Sequence, residues 1–196
     1  MIGGTSRAGF VLAGGKSSRM GENKAFLVYS GRPLIARIAE AVSAAAGQVA
    51  LVGDPEVYGR LGYPAIPDRF VNCGPLGGMA AALAYTTADW NLLVACDMPA
   101  VTTGLLSAIL EAAENLPGEA DCLVPDAPPG GLQPLCAVYR RRCCGPAQDA
   151  LARGERKVHD WLHTLHVHRW PVGEASPFQN VNTPLEWNGF LQSHSA

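Results

Sequence analysis

The chain has 196 residues, of which 48% are hydrophobic and 16% are charged. This composition excludes an intrinsically disordered protein and favours a single globular domain over residues 1–196, with a core that needs no disulfide or metal. With 15 basic and 17 acidic residues the formal net charge is -2. The basic excess of a nucleic-acid-binding protein is absent, so we expect no nucleic-acid partner.

The sequence predicts neither a membrane anchor nor an export signal. No apolar run approaches the roughly 18 residues of a membrane-spanning helix. The apolar stretch 10–13 is too short for a signal peptide. We therefore expect a cytoplasmic protein with no membrane partner. Its six cysteines include no Cys-x-x-Cys pair, and in a reducing compartment we expect free thiols rather than disulfides.

Predicted strands and helices alternate along the chain. The apolar patterns predict strands at 9–12, 48–52, 63–67, 91–96, 121–124, 135–139 and 165–170. They predict helices at 34–46, from Met79 through Tyr85, and from Thr102 or Thr103 to about Asn115. Repeated strand–loop–helix units indicate an α/β fold whose mostly parallel sheet is covered by helices on both faces.

Ligands of parallel sheets bind beyond the carboxyl ends of the strands. Three predicted strand ends carry chemically active residues, at 14–24, at 68–78 and at Asp97. We therefore expect the loops 12–24, 68–78 and 97–99 to form the active site, with the segment 178–184 as a further part of it.

The loop after the first strand combines glycines with cations. Gly14 and Gly15 allow backbone N–H groups to approach a phosphate closely. Lys16, Arg19 and Lys24 add three positive charges, which could hold a triphosphate and stabilise charge as pyrophosphate leaves. The alternative is a solvated loop with incidental cations. The segment matches neither the P-loop nor the G-x-G-x-x-G pattern of dinucleotide-binding folds.

Two aspartates follow predicted strands. Asp97 comes directly after the buried strand 91–96, where a carboxylate on a fixed backbone suits Mg²⁺ that bridges to substrate phosphates. A turn or helix cap is the alternative, because Asp-x-Pro is a turn signal. Asp68 raises the same question at the end of the strand 63–67.

Two further segments contain possible ligand-binding groups. The run 74–78, Gly-Pro-Leu-Gly-Gly, is predicted as a tight turn before a helix, which could press its backbone on a flat ligand or merely connect two elements. Asn180 and Asn182 place their amides on one side of an extended segment. Thr183 and Pro184 fit the cap and first residue of a following helix.

Together these segments resemble the molybdenum cofactor guanylyltransferases. The matching runs are, in chain order, LAGGKSSRMGENK (12–24), GPLGG (74–78), CDMP (96–99), QPLCAVY (133–139) and NVNTP (180–184). The resemblance extends from residue 10 to residue 187. Many nucleotidyltransferases share the first run, whereas the later runs are typical of the molybdopterin branch.

The resemblance implies an enzyme with a Rossmann-like three-layer α/β/α fold of the nucleotide-diphospho-sugar transferase type. The implied reaction transfers GMP from GTP to the phosphate of Mo-molybdopterin, releasing pyrophosphate and forming the guanine dinucleotide cofactor. Mg²⁺ is the implied cofactor. GTP and Mo-molybdopterin are the implied partners, with molybdoenzymes or cofactor-delivery proteins as further ones.

The resemblance also implies roles for individual residues. The nucleotide site would contain Leu12, Ala13, Gly14, Gly15, Lys24, Gly53, Asp68, Gly78 and Asp97. Arg19, Lys24 and Asp97 would form the catalytic set, with Asp97 binding Mg²⁺, and Asn180 and Asn182 would lie on the pterin side. The family often has Asn after its second strand, where Gly53 stands here, so that contact is made by backbone or is lost.

Two other functions stay open at this point. One is a CTP-dependent transferase that acts on the same pterin or on a sugar phosphate, since the Gly53 position leaves the base uncertain. The other is a non-catalytic nucleotide or cofactor carrier, against which the set of Arg19, Lys24 and Asp97 argues.

Four histidines lie at 159, 163, 166 and 168. His159 and His163 have the i, i+4 spacing of metal ligands on a helix, but the Glu of H-E-x-x-H is missing. We expect separate core and surface histidines rather than a zinc site.

Overall fold

The computed structural model describes residues 6–14, 23–70 and 72–194. The strands are Arg7–Leu12 (β1), Val28–Tyr29 (β2), Arg32–Pro33 (β3), Val49–Val52 (β4), Ala65–Ile66 (β5), Trp90–Ala95 (β6), Cys122–Ala127 (β7), Gly131–Leu132 (β8), Cys136–Arg140 (β9) and Val167–Pro171 (β10). The α-helices are Leu34–Ala46 (α1), Pro55–Tyr58 (α2), Gly74–Tyr85 (α3), Thr103–Glu114 (α4), Cys144–Ala152 (α5), Val158–Leu162 (α6) and Pro184–Ser193 (α7). Short 3₁₀ helices lie at Lys24–Phe26, Gly59–Leu61, Arg141–Cys143 and Ser176–Phe178.

One large sheet organises the fold. Its strand order is β10-β7-β9-β6-β1-β4-β5, and β8 pairs with β7. β1 is parallel to β4 and β6, β4 to β5, and β7 to β10. β9 is antiparallel to β6 and β7, and β8 is antiparallel to β7. All the other strands of this sheet share one direction, so the predicted mostly parallel sheet is confirmed.

Helices cover both faces of the sheet, as predicted. One apolar cluster joins the sheet to α1, α4 and α7, and a second joins its other face to α3, α5 and α6. In β1, Val11 belongs to the first cluster while Phe10 and Leu12 belong to the second, because side chains alternate across a strand. Burial on both faces explains why the central strands are continuous apolar runs.

Several predicted helix boundaries are confirmed. α1 covers the predicted range, and Gly47 ends it with φ 77°, a backbone conformation that favours glycine. Thr102 is the N-cap of α4, and its side chain accepts a hydrogen bond from Leu105 N. Thr183 caps α7 in a reciprocal arrangement with Glu186.

The prediction of a loop at 74–78 is wrong, because these residues form the first turns of α3. Pro75 fits there because the first turn of a helix needs no N–H group. Gly77 is required by close packing, since an added Cβ would lie 2.9 Å from Phe70 O. Gly77 therefore lets α3 approach Phe70 closely, and the glycines do not break the helix.

The strand predicted at 63–67 is shorter than expected, with only Ala65–Ile66 paired to β4.

The six cysteines are free thiols. Burial raises the pKa of Cys96 to about 12, so its thiol stays protonated near neutral pH. Within the described ranges, no helix is long and apolar enough to cross a membrane.

Candidate active site

A cleft of about 540 Å³ lies at the carboxyl edge of the sheet. It is formed where β1, β4 and β6 end and where α3 begins, which is the location that the parallel topology favours. The predicted site residues that line it are Leu12, Gly14, Lys24, Asp68, Gly78 and Asp97. The structure thus brings together residues from three of the four predicted segments.

Lys24 and Asp97 form an ion pair in this cleft. Lys24 Nζ lies 2.5 Å from Asp97 Oδ2, and it also donates a hydrogen bond of 3.1 Å to Asn182 Oδ1. The Lys24 side chain is 22% exposed and that of Asp97 is 12% exposed. Because both groups are largely shielded from water, their attraction is screened less than that of a surface pair.

Backbone hydrogen bonds fix Asp97 in place. Cys96 N donates to Leu12 O over 3.1 Å, which continues the pairing of β6 with β1 beyond the strand end. Asp97 O accepts a 2.8 Å hydrogen bond from Val181 N, which ties the segment before α7 to the cleft. The carboxylate is therefore carried by a backbone that is held from two sides.

The second carboxylate oxygen of Asp97 fits a divalent cation. Asp97 Oδ1 is buried and has no hydrogen-bond partner among the described residues. A buried oxygen without a partner is costly, and a cation would satisfy it. The described residues contain no group of three or more His, Cys, Asp or Glu that could hold a metal. A metal here would thus rely on Asp97 and substrate oxygens, as Mg²⁺ commonly does.

Asp68 stands beside Gly14 in the same cleft. Its Oδ1 accepts a 2.9 Å hydrogen bond from Phe70 N, and a Cβ added to Gly14 would lie 3.5 Å from its Oδ2. Burial raises the pKa of Asp68, and the hydrogen bond from Phe70 partly offsets this effect. One oxygen of the Asp68 carboxylate is therefore hydrogen-bonded to the backbone of Phe70.

The N-terminus of α3 forms another part of the wall. Gly74, Pro75 and Gly78 line the cleft, so the positive end of this 12-residue helix lies at the site. A Cβ at Gly78 would make ordinary contacts of 3.6 Å with Leu12 Cδ2 and 3.7 Å with Val52 Cγ1. The lack of a side chain at Gly78 therefore leaves space in the cleft, although no steric clash requires glycine at this position.

Gly53 is not among the described residues that line the cleft. A Cβ at this position would lie 2.6 Å from Tyr58 Cε2 and 2.8 Å from Tyr58 Cδ2. The Tyr58 ring therefore occupies the space into which a side chain at 53 would project. Gly53 is required for packing, and any contact it makes with a ligand is made by its backbone.

Replacing Gly53 by Ala is expected to destabilise the protein by about 1–3 kcal/mol, because overpacking a buried ring forces the structure to shift. Tyr58 is 4% exposed and cannot move aside freely. The matched control is Gly59→Ala, whose added Cβ would meet nothing within 4 Å. Urea unfolding measures both variants. Equal stability of the two would contradict the packing role of Gly53.

A second cleft of about 1000 Å³ adjoins the first and shares Pro75 and Leu135 with it. Asn180 lines this second cleft, whereas Asn182 contacts Lys24 in the first. The two asparagine side chains therefore lie at different clefts. Gly15 and Arg19 lie outside the described residues.

Sequence reasoning missed several residues of the second cleft. Arg156 and Lys157 line it and were not predicted, whereas Gln133 comes from the predicted run 133–139 and His159 was considered only as a metal ligand. Arg156 also donates a hydrogen bond to Asn72 O, next to the start of α3. The adjacent cations of the Gly-Glu-Arg-Lys run were the available signal, but a run of charges more often lies on a solvated surface.

The four histidines do not form one site. His159 lines the second cleft, while His166 Nδ1 lies 3.2 Å from Glu119 O. His163 follows α6 and His168 lies in β10. His159 and His163 therefore belong to one helix and its cap, whereas His166 and His168 lie beyond it, near and in β10.

Comparisons with known proteins agree with this geometry. The chain is 37% identical over 180 residues to a probable molybdenum cofactor guanylyltransferase of Trichormus variabilis, covering 89% of this chain and 85% of the relative. It is 32% identical over 192 residues to one from Synechococcus elongatus, covering 95% and 98%. A crystal structure of molybdopterin-guanine dinucleotide biosynthesis protein A from Archaeoglobus fulgidus superposes with a TM-score of 0.82 at 26% identity, covering 96% and 98%.

The family comparison covers most of the sheet. Residues 9–169, from β1 into β10, match the MobA-like NTP transferase domain. The fold is thus that of the nucleotidyltransferases. The cleft of Lys24 and Asp97 lies at the carboxyl edge of the sheet, the edge at which open α/β sheets generally bind ligands. The chain belongs to the family of the MobA-like NTP transferase domain, and it is a nucleotidyltransferase.

Proposed function

We propose that this protein transfers GMP from GTP to the phosphate of Mo-molybdopterin, releasing pyrophosphate and forming the molybdopterin guanine dinucleotide cofactor. The observation that carries this proposal is the pair of adjoining clefts, which offers separate space for a nucleotide and a second large substrate. The guanylyltransferase names of the relatives support GTP and molybdopterin as the substrates.

The first cleft is the proposed nucleotide site. Lys24 supplies a positive charge, and the N-terminus of α3 supplies a partial one, so both favour a triphosphate. At the end of β1, Leu12 and Gly14 line the cleft, whereas the backbone groups of Ala13 are bonded to Val52 and Tyr58. Gly14 is therefore the residue proposed to offer backbone to the nucleotide. Gly15 and Arg19 are proposed to add to the phosphate contacts, as the sequence predicts.

Asp97 is the proposed metal ligand. Its Oδ1 is free for a cation while its Oδ2 holds Lys24, so one carboxylate can serve both positive groups. Mg²⁺ bound there would neutralise charge on the phosphate oxygens. Lys24 stays beside the metal ligand and orients the same phosphates.

The reaction needs no protein nucleophile. A phosphate oxygen of the pterin substrate forms a bond to the α-phosphorus of GTP, and the bond from that phosphorus to pyrophosphate breaks. Positioning and charge stabilisation account for most of such a rate enhancement. Lys24 and the start of α3 are placed to stabilise the charge that develops on the leaving group.

The second cleft is the proposed pterin site. Arg156 and Lys157 line it, and their cationic side chains favour the phosphate of molybdopterin. Gln133 and Asn180 offer amides to the polar edge of a pterin ring. The two clefts adjoin at Pro75 and Leu135, which supports a transfer between a phosphate in the second and a nucleotide in the first.

The test is a turnover assay with Mo-molybdopterin and Mg²⁺, run in parallel with GTP, CTP, ATP and UTP. We expect pyrophosphate and the dinucleotide product with GTP alone. Product with CTP instead would keep the mechanism and change the base. Nucleotide binding without turnover would favour a carrier that delivers the cofactor to a molybdoenzyme.

A further inference from the structure

Tyr58 joins two segments beside the first cleft, the end of β1 and the start of the 3₁₀ helix Lys24–Phe26. It lies at the end of α2, and its ring is 4% exposed. Its hydroxyl donates a 2.9 Å hydrogen bond to Ala13 O and accepts a 3.0 Å hydrogen bond from Asn23 Nδ2. It therefore links the end of β1 to the residue that precedes Lys24.

Asn23, the second hydrogen-bond partner of Tyr58, caps the start of a short helix. Asn23 is the N-cap of the 3₁₀ helix Lys24–Phe26, and its Oδ1 accepts a 3.1 Å hydrogen bond from Ala25 N. Both polar atoms of the Asn23 side chain are thus hydrogen-bonded. The oxygen accepts from the helix backbone, and the nitrogen donates to the Tyr58 hydroxyl. A fixed Asn23 fixes the backbone from which Lys24 extends.

Neighbouring residues fix the position of the Tyr58 ring. One face packs on Gly53, where a Cβ would approach ring carbons to 2.6 Å. Phe26 stacks with the ring at a centroid distance of 5.9 Å and an interplanar angle of 7°. Burial raises the pKa of Tyr58, so the hydroxyl keeps the proton that it donates to Ala13.

We propose that Tyr58 is a positioning residue of the transferase, whose hydroxyl holds Asn23 against the end of β1 and thereby places Lys24 for the nucleotide phosphates. This inference rests on the proposed function, since it assigns Lys24 to the triphosphate. Gly53 belongs to the same arrangement, because a larger residue would displace the Tyr58 ring. Because position 53 has no side chain, the Tyr58 ring can occupy this space and hold Asn23 through its hydroxyl.

The first experiment compares Tyr58→Phe with the wild-type protein in steady-state kinetics. We expect the KM for GTP to rise roughly 3- to 10-fold, the factor that loss of one hydrogen bond typically produces, while the KM for Mo-molybdopterin stays unchanged. A merely structural role would lower the folded fraction without changing one KM selectively. Unchanged KM for GTP, or equal rises for both substrates, would overturn the proposal.

The matched control is Tyr29→Phe. The Tyr29 hydroxyl also donates to a backbone carbonyl, that of His194, over 3.2 Å. It is not among the described residues that line either cleft. We expect this variant to keep the wild-type KM values for both substrates. The same rise of the KM for GTP in both variants would overturn the proposal, since it would then follow from any lost tyrosine hydroxyl.

A double-mutant cycle tests whether Tyr58 acts through Asn23. We expect Asn23→Ala to raise the KM for GTP at least as much as Tyr58→Phe does, and the double variant to be no worse than Asn23→Ala alone. Effects that multiply would show that Tyr58 acts by another route, and the proposed positioning through Asn23 would be wrong.

Binding of inorganic tripolyphosphate, measured by titration calorimetry, separates this proposal from the proposed function. If the wild-type protein turns over GTP but Tyr58→Phe behaves like Tyr29→Phe, the positioning role fails and the function stands. If the wild-type protein fails to turn over GTP, the function fails, and weaker tripolyphosphate binding by Tyr58→Phe still supports the positioning role. No tripolyphosphate binding by the wild-type protein, or equal binding by both variants, would overturn it.

Discussion

Replacing Asp97 by Asn is expected to lower kcat by at least about 10²-fold, the size of loss seen when one group that stabilises transition-state charge is removed. Asn keeps the shape of the side chain but removes the negative charge that holds Lys24 and would hold Mg²⁺. Steady-state kinetics across a Mg²⁺ titration measure the loss. Mn²⁺ binding in the presence of a non-hydrolysable GTP analogue, followed by electron paramagnetic resonance, gives a readout that does not depend on turnover.

Asp121→Asn is the matched control for this prediction. Asp121 is 19% exposed and forms an ion pair with Arg142 at 2.6 Å, so it resembles Asp97 in burial and pairing. It precedes β7 and therefore lies at the opposite edge of the sheet from the cleft. We expect this variant to lose stability but keep its kcat. Wild-type kcat in Asp97→Asn, or an equal loss in both variants, would contradict the role of Asp97.

The regular part of the fold could be predicted from the sequence because its signals are local. α1 shows apolar residues at helical spacing and ends at a glycine, and β6 is a continuous apolar run. The hairpin of β2 and β3 has strands of two residues, which are too short to show any periodicity. The loop predicted at 74–78 is wrong because Gly77 is required by packing against Phe70, a tertiary contact that the sequence does not show.

The candidate site was predicted in outline because parallel strands end at a common edge. That rule brought Lys24 and Asp97 to one region, but their ion pair joins residues 73 positions apart and depends on tertiary structure. The role of Tyr58 had no sequence signal of its own. Only the unexpected Gly53 pointed to that region, and the reason for the glycine became visible through the ring that packs on it.

The two oxygens of Asp97 divide the site between two positive groups. Oδ2 accepts from Lys24, whereas Oδ1 is buried without a hydrogen-bond partner among the described residues. A metal at Oδ1 would therefore not displace Lys24, and the two charges would act on the same phosphates. It follows that Lys24 and Asp97 should have large effects of different kinds, since only Asp97 would hold the metal.

Replacing Lys24 by Met is expected to lower kcat/KM for GTP by about 10²-fold or more, because it removes a charge placed for the phosphates in a shielded cleft. Mn²⁺ binding should persist, since Asp97 Oδ1 is untouched, and the KM for Mo-molybdopterin should stay near its wild-type value. Lys24→Arg should restore only part of the activity, because the longer, planar guanidinium spreads its charge and cannot place it where the ammonium lies between Asp97 and Asn182. Arg153→Met, which removes an exposed cation paired with Glu155 at 2.9 Å, controls for lost charge. Equal kinetics in the Lys24→Met and Arg153→Met variants would show that Lys24 serves the fold rather than the nucleotide.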